Sequence, residues 1–562
     1  TAMIGLYARH QKMIDALHMF SLMQGAYHLM PNKVTFLCLV DACGGCQGLS
    51  EGKIVHHVSV ESGFSLEVMV CNALVDMYGK CGALSKAQQI HDQLPVQNVS
   101  SWNALISGYV QHKQAHEALD CFEQMKTKGF SPDHITYLSA LKACGVARAI
   151  VMGKKIHNEI IRQHMLKENI ELSSAVVDMY SKCRMIAKAH EVLDELPVRN
   201  IVSWNALITG YVQEGQGDKV LNCYEQVEIE GLSADVVTFL CILKACGNAG
   251  ILDKGKQIHD EIVNKGLLEK TPMVGNALVD MYAKCGELKK AEGLNDVLPT
   301  QSISYWNALI TGYVLHGHNH QAMTYFEEMQ NKGLLPDAVT FNCILKTCGR
   351  LGALNKGKQI HEQIVSSRLL EENVMLGTAV VDMYAKCGLL AKAQKVLEEL
   401  PDRDVVAWNV LIAGYALQGK GHEALECLNC ILTEGISPDE GTFICVLSAC
   451  GRNGLVNDAE MLFRNMSLKY GIVPSIEHHI CMVDALGRIG ELDGALSMIR
   501  KMPFCPNIVT WHSMLNACRN WGNVDIGKEA FKHALCLDRN DSASYSLMSH
   551  VYANSNNVYR PN

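Results

Sequence analysis

Three things are missing from this chain of 562 residues. No apolar run approaches the roughly 20 residues needed to cross a bilayer. Basic residues are not in excess: 50 Lys and Arg against 58 Asp and Glu leave a net charge of −8 and a pI near 6.3. Indiscriminate phosphate binding usually shows as a basic domain, so any nucleic acid contact must be local and groove-bound. There is also no initiator methionine and no targeting segment. Thr1 and Asn562 each fall inside a repeat, so the chain reads as a fragment and the missing address says nothing about location. Cysteine, by contrast, is plentiful at 23 residues. Most recur at fixed places on apolar helical faces, where a free thiol behaves as a small buried hydrophobe; a reducing compartment is expected. With 48% hydrophobic and 19% charged residues the composition suits a folded protein rather than a disordered one.

What is present is repetition. Trp-Asn-Ala-Leu-Ile stands at 102–106, 204–208 and 306–310, and Trp-Asn-Val-Leu-Ile at 408–412, with a weaker copy from Trp511. Cys144, Cys246, Cys348 and Cys450 keep the same 102-residue step, as do Cys81, Cys183, Cys285 and Cys387. An unvarying long period means stacked repeats. The 102-residue block divides into related units of 35, 36 and 31 residues, at 99–133, 134–169 and 170–200. Such a chain needs no domain division, because each repeat buries its apolar face against its neighbours.

Within 99–133, Trp102, Leu105, Ile106, Tyr109 and Val110 form one stripe at helical spacing, and Ala118, Phe122 and Met125 form another. Gly129 is placed to end the second helix in a left-handed conformation, and Ser131-Pro132-Asp133 turns the chain. The other units follow this plan, with Gly145 and the Lys182-Cys183 region predicted as inter-helix turns and Pro197 ending the second helix. The expected fold is all-α, a solenoid of stacked helix-turn-helix repeats with first helices lining a concave groove.

Gly108 and the closing Pro132-Asp133 set this unit apart from a tetratricopeptide repeat, which wants glycine where Ile106 stands and alanine where Met125 stands. The chain resembles the pentatricopeptide repeat family, in the subclass where 35-residue P, 36-residue L and 31-residue S units alternate. The resemblance implies a right-handed superhelical α-solenoid. It places a partial P unit at 1–32, L and S units at 33–98, and triplets at 99–200, 201–302 and 303–404. A P unit at 405–439, closing variant L and S units at 440–507, an E1-like motif at 508–541 and a truncated E2-like motif at 542–562 complete the chain.

Relatives of this kind bind single-stranded RNA in mitochondria or chloroplasts, one base per repeat, amino terminus toward the 5′ end. The family reads each base with the fifth and last residues of a unit. Carried over, Asn103 with Asp133, Asn205 with Asp235, Asn307 with Asp337 and Asn409 with Asp439 imply U, since an Asn amide both donates and accepts. Thr1 with Asn32 and Ser174 with Asn200 imply A, Thr378 with Asp404 implies G, and Asn276 with Ser302 implies C. Asn72 with Asn98 and Asn342 with Asn373 imply a pyrimidine. Aliphatic Leu37, Leu138, Leu240 and Ile444 cannot read a base edge, and Ile480 with Asn507 is uninformative. The expected target is 5′-A-n-Y-U-n-A-U-n-C-U-Y-G-U-n-n. The family flanks each base with an aliphatic second residue, as Val202 and Val406 do; Ser100, Ser304 and Glu171 depart from that pattern, and weaker affinity is expected there.

Blander readings stand beside these. The Asn after each Trp could be a helix cap. Gly250 to Lys256 and Gly352 to Lys358 spell the start of a phosphate loop, but Gln257 and Gln359 replace the required Ser or Thr and no strand precedes. The periodic His56, His157, His259 and His361 suit structure better than metal. Cys43 with Cys46 and Cys427 with Cys430 have zinc-like spacing but no second pair. The tryptophans, Trp521 included, are packing residues first. No metal or cofactor is expected. Some relatives carry a zinc deaminase, whose H-x-E then P-C-x-x-C pattern supplies the ligands and acid/base Glu. Here His157-Asn158-Glu159 and His259-Asp260-Glu261 match its first half by chance and no proline precedes a cysteine, so this stretch is expected to be non-catalytic. The expectation is a monomeric RNA-binding guide for C-to-U editing, off the membrane, with a deaminase or other editing factor recruited in trans. The alternatives are a protein-binding helical scaffold and an RNA stability or processing factor.

Overall fold

The computed structural model describes residues 1–10, 12–25, 29–64, 67–166, 169–294 and 302–558, and their regular structure is α-helix without a strand. The chain forms two compact units, Thr1–Cys285 and Gly286–Asn562. Each is a stack of helical hairpins in which a first helix packs on the first helices before and after it, and a second helix covers the seam. The helices Val99–Gln111 and Ala115–Thr127 make one hairpin. Trp102, Leu105, Ile106, Ala118, Phe122 and Met125 are fully buried in it, while Tyr109 and Val110 are half-buried. Full burial of each large side chain contributes about 1.5–3 kcal/mol, and the seam extends from one hairpin into the next. Gly129 takes φ +82° beyond the second helix, and the Phe130 N–H donates to the Met125 carbonyl, closing it as expected.

Small residues set how closely the stacks approach. A Cβ on Gly108 would stand 2.8 Å from the Gly79 Cα, so the helices Val68–Lys80 and Val99–Gln111 touch backbone to backbone. Gly145 is a correction to the sequence reading. The helix His134–Ala147 runs through it and turns at left-handed Arg148. A Cβ at Gly145 would meet the Lys182 side chain at 3.1 Å, so close packing, rather than a turn, requires this glycine. The phosphate-loop spelling has a similar origin. Gly250 ends the helix Val236–Ala249 at φ +69°, and Gly255 lies inside the next helix with the Met281 Sδ 2.6 Å from where its Cβ would be.

The five periodic tryptophans are buried, whereas Trp521 is half exposed and donates its indole N–H to the Gly487 carbonyl. Trp204 and Trp408 donate to Glu230 and Glu434 at 2.8 and 3.2 Å. At the matching places Trp102 and Trp306 have Lys128 and Lys332 over the ring instead, and neither indole N–H has a partner among the described residues. The repeating histidines are structural in the same sense. His56, His157, His259 and His361 bond through Nδ1 to the hydroxyls of Tyr78, Tyr180, Tyr282 and Tyr384 at 2.9–3.1 Å. Burial, with Lys188 nearby, pushes the His157 imidazole down to about 4. The CxxC pairs each put one thiol inside and one in solvent: Cys43 and Cys427 are buried, Cys46 and Cys430 exposed. Burial, reinforced by Cys183, pushes the Cys144 thiol up to about 12, as befits a core side chain.

Candidate nucleic-acid interface

Each last-place residue sits where a new first helix begins, and a helix start leaves backbone N–H groups without intrahelical partners. Asn32, Asn98, Asp133, Asn200, Asp235, Asp337, Asn373, Asp404 and Asp439 each cap the helix that follows by accepting from the backbone N–H three residues on. Ser302 caps Ile303–Leu315 in the same way. The cap reading therefore belongs to the last residue of a unit. The Asn after Trp lies in the second turn of its helix and caps nothing.

The two places meet in space. Asn103 Nδ2 donates to Asp133 Oδ1 and Oδ2 at 3.0 and 3.1 Å, and Asn307 to both oxygens of Asp337 at 3.0 Å. Asn205 reaches Asp235 Oδ1 at 2.9 Å and Asn409 reaches Asp439 Oδ1 at 3.0 Å. Asn72 donates to Asn98 Oδ1 at 3.2 Å, and the Ser174 hydroxyl to Asn200 Oδ1 at 3.3 Å. Thr1 and Asn32 are joined through the Thr35 hydroxyl, 2.9 and 3.0 Å from each.

Two couples, Thr378 with Asp404 and Asn342 with Asn373, are not bonded to each other among the described residues. The Thr378 hydroxyl donates to the Val374 carbonyl, while Asp404 accepts from the Ala407 N–H. Asn373 is occupied with the Leu376 N–H, and no bond joins it to half-buried Asn342. Asn276 lies on Pro272–Lys284 in the first unit, whereas Ser302 lies in the second.

A third member escaped the sequence reading. The hydroxyls of Thr136, Thr238 and Thr340 donate to the Oδ1 atoms of Asn103, Asn205 and Asn307 at 2.6–2.7 Å. Since the Thr occupies each amide oxygen, the Asn must turn its N–H₂ toward the carboxylate. With its oxygen engaged by the Thr and its N–H₂ by the Asp, the Asn has less of the donor-and-acceptor role expected of it. At Asp235, Oδ1 takes the bonds from Asn205 and from the Thr238 N–H, and no side chain among the described residues donates to Oδ2. The signal was present as Asp-x-x-Thr at 133–136, 235–238, 337–340 and 439–442, a capping-box spacing. At the last of these Thr442 bonds Asp439 alone, and the buried Asn409 Oδ1 has no partner among the described residues.

Burial acts to raise the carboxyls of Asp133, Asp235 and Asp439. Hydrogen bonds from the Thr backbone and hydroxyl and from the Asn amide outweigh it and hold all three below the usual carboxylate value. They are anionic at neutral pH.

In the first unit a cleft of about 560 Å³ lies along the fifth and last places of neighbouring repeats. Ser174, Asn200, Asn205, Val202, Val237 and Lys142 are among its lining residues. Val202 and Val237 are 59% and 49% exposed, too apolar and too open for packing to explain. The same second place exposes Val34, Met69, Ile135, Met273, Val339, Met375 and Val406, while Ser100, Ser304 and Glu171 interrupt the row. Lys142, Lys244 and Lys346 stand exposed four residues beyond the fifth place, with no acidic partner recorded among the described residues.

The chain is a helical-hairpin solenoid whose first helices carry a ladder of paired polar side chains between exposed aliphatic ones. It belongs to the PPR repeat family, whose profiles match residues 97–145, 199–248, 301–350 and 403–452, and 1–27, 69–99, 173–201, 276–294, 378–405, 441–469 and 479–505. A chloroplastic pentatricopeptide repeat-containing protein of Arabidopsis thaliana is 33% identical over 541 residues, covering 93% of this chain and 60% of its own. A mitochondrial one is 34% identical over 542, covering 92% and 60%, so the chain spans about three fifths of either relative. A putative member from the same plant is 35% identical over 513 residues, with 90% and 74% covered. Structures of the maize pentatricopeptide repeat protein PPR10, free and in complex with an 18-nt psaJ RNA element, align at TM-score 0.58 and 17% identity over 98% of this chain and 81% of theirs. That likeness establishes the shared fold.

Proposed function

We propose that this chain binds single-stranded RNA by sequence, one base per repeat, and serves as a guide for C-to-U editing in a mitochondrion or chloroplast. The observation that carries the reading is the Asn–Asp–Thr arrangement repeated at 102-residue steps beside exposed aliphatics. A base can enter edge-on to the open carboxylate oxygen and lie flat between Val202 and Val237. Uracil and guanine present a ring N–H on the pairing edge, which a carboxylate accepts. Adenine and cytosine present a ring nitrogen lone pair there, which it repels.

The P, L and S alternation and the E-like motifs read at 508–541 and 542–562 support the reading as a guide that recruits a deaminase in trans. The relatives' chloroplastic and mitochondrial names support an organelle. The RNA-bound neighbour supports the ligand class. Selection on randomised RNA with the chain as bait is expected to enrich 5′-A-n-Y-U-n-A-U-n-C-U-Y-G-U-n-n, most strongly the U letters facing Asn103, Asn205, Asn307 and Asn409. Absence of U enrichment there overturns the base assignment. Absence of any RNA binding turns the groove over to the scaffold reading.

A further inference from the structure

The unit 508–541 repeats the three-residue arrangement with different side chains. His512 is its fifth residue, on Ile508–Trp521; Asp541 is its last; Ser544 is the third residue of Ser542–Val558. These are the places held by Asn205, Asp235 and Thr238. His512 Nε2 lies 2.7 Å from Asp541 Oδ2 and 3.1 Å from the Ser544 hydroxyl. The Ser544 N–H donates to the same carboxylate oxygen at 2.9 Å. As at Asp235, one oxygen gathers the internal bonds, and no side chain among the described residues donates to the other, here Oδ1. Val509 at the second place is 50% exposed, matching Val202. The two preceding units lack all this, since Ile444 and Ile480 fill their fifth places. Packing alone would be served by an aliphatic there too.

We infer that His512, Asp541 and Ser544 form one more base-reading position, three nucleotides 3′ of the one facing Asn409, and that it takes uracil or guanine. This rests on the one-base-per-repeat reading and extends it past the closing repeats. The Ser544 and His512 hydrogen bonds pull the Asp541 carboxyl down to about 2, so it is anionic at neutral pH. Its 2.7 Å contact then requires the proton of His512 to sit on Nε2. The imidazole fixes the carboxylate as the Asn amide does in the other units, and the open oxygen accepts the ring N–H of a keto base. The expected message gains one letter, K (G or U), after the two unread ones.

The test uses the full chain and sixteen-letter RNAs that carry the proposed target and differ only in that last letter. Binding to U and G is expected to be about tenfold tighter than to A and C, the range a good edge contact supplies. Asp541→Asn keeps a helix-capping side chain and offers a donor where an acceptor stood, so the preference should move toward A or C. His512→Asn restores the arrangement of the P units and should keep the preference for U and G. In parallel, the U facing Asn205 and Asp235 is varied. Equal binding of all four letters beside intact discrimination at Asn205 overturns this inference alone. Flat binding at both places removes the underlying reading with it. A uniform loss of affinity in Asp541→Asn, without a change of preference, makes Asp541 a helix cap only and equally overturns the inference.

Discussion

The Thr238 hydroxyl is fully buried and has two acceptors, Asn205 Oδ1 and Asp235 Oδ1, within 2.7 and 2.9 Å. Thr238→Val keeps the shape and removes the hydroxyl, leaving the amide oxygen without a partner at a cost of about 1–3 kcal/mol. Urea unfolding is expected to report that loss, and RNA binding to report weaker preference for U at this register, since nothing then holds the amide N–H₂ toward Asp235. Asn409 is the natural comparison, its oxygen already lacking a partner among the described residues. A second prediction concerns acid. His157 is neutral when folded with its value near 4, whereas an unfolded imidazole titrates near 6.5. The unfolded state therefore binds the extra proton between those limits, and stability falls as pH drops from about 6.5 to 4. His157→Phe should make that part of a curve of urea midpoint against pH less steep, the buried imidazoles of His56 and His361, lowered for the same reason, and the carboxyls of Asp133, Asp235 and Asp439 accounting for loss that remains. At this scale the fifth and last residues were legible because their types recur in register. The Thr was overlooked because it belongs to the next unit, and a pattern read unit by unit cuts the group in two.

Between elements, what matters is how near two helices can come. Gly108 faces the Gly79 backbone, which cannot move aside without separating two first helices, so Gly108→Ala is expected to cost about 1–3 kcal/mol by overpacking. Gly255→Ala meets the flexible end of Met281 and should cost less. Paired thermal unfolding of the two variants checks the order. The tryptophan seams offer a gain. Gln97 and Lys128 stand where Arg199 and Glu230 stand one block later, and there the Glu both satisfies the indole N–H and pairs with Arg199 at 2.8 Å. Gln97→Arg with Lys128→Glu should carry that arrangement to Trp102 and stabilise by about 1 kcal/mol, read as a rise in urea midpoint. Helices and their buried stripes were readable from spacing alone. Gly145 was not, because a glycine for close approach and a glycine for a turn look the same until the facing Lys182 is in place.

For the whole molecule, charge limits how the proposed RNA would be held. A chain of net charge −8 cannot attract a polyanion globally. If Lys142, Lys244 and Lys346 make the phosphate contacts, log Kobs should fall with log[salt] at a slope of about −2, given roughly 0.7 per contact on single strands. Each Lys→Ala change should lower the slope by about 0.7 and weaken all sequences alike, as a salt titration would show. The 102-residue period made the repeat architecture legible throughout. The division at Cys285 and Gly286 has no counterpart in the sequence, because the repeats run through it unbroken.

The last-place residues begin helices as well as serving, in the proposed reading, to meet a base, and this limits how the protein can be rewritten. Only short polar side chains hold a helix start, so an engineer retargeting the chain has an alphabet of little more than Asn, Asp, Ser and Thr at those sites. A long side chain such as Arg or Gln, however well suited to a chosen nucleotide, would begin to unravel the helix that displays it.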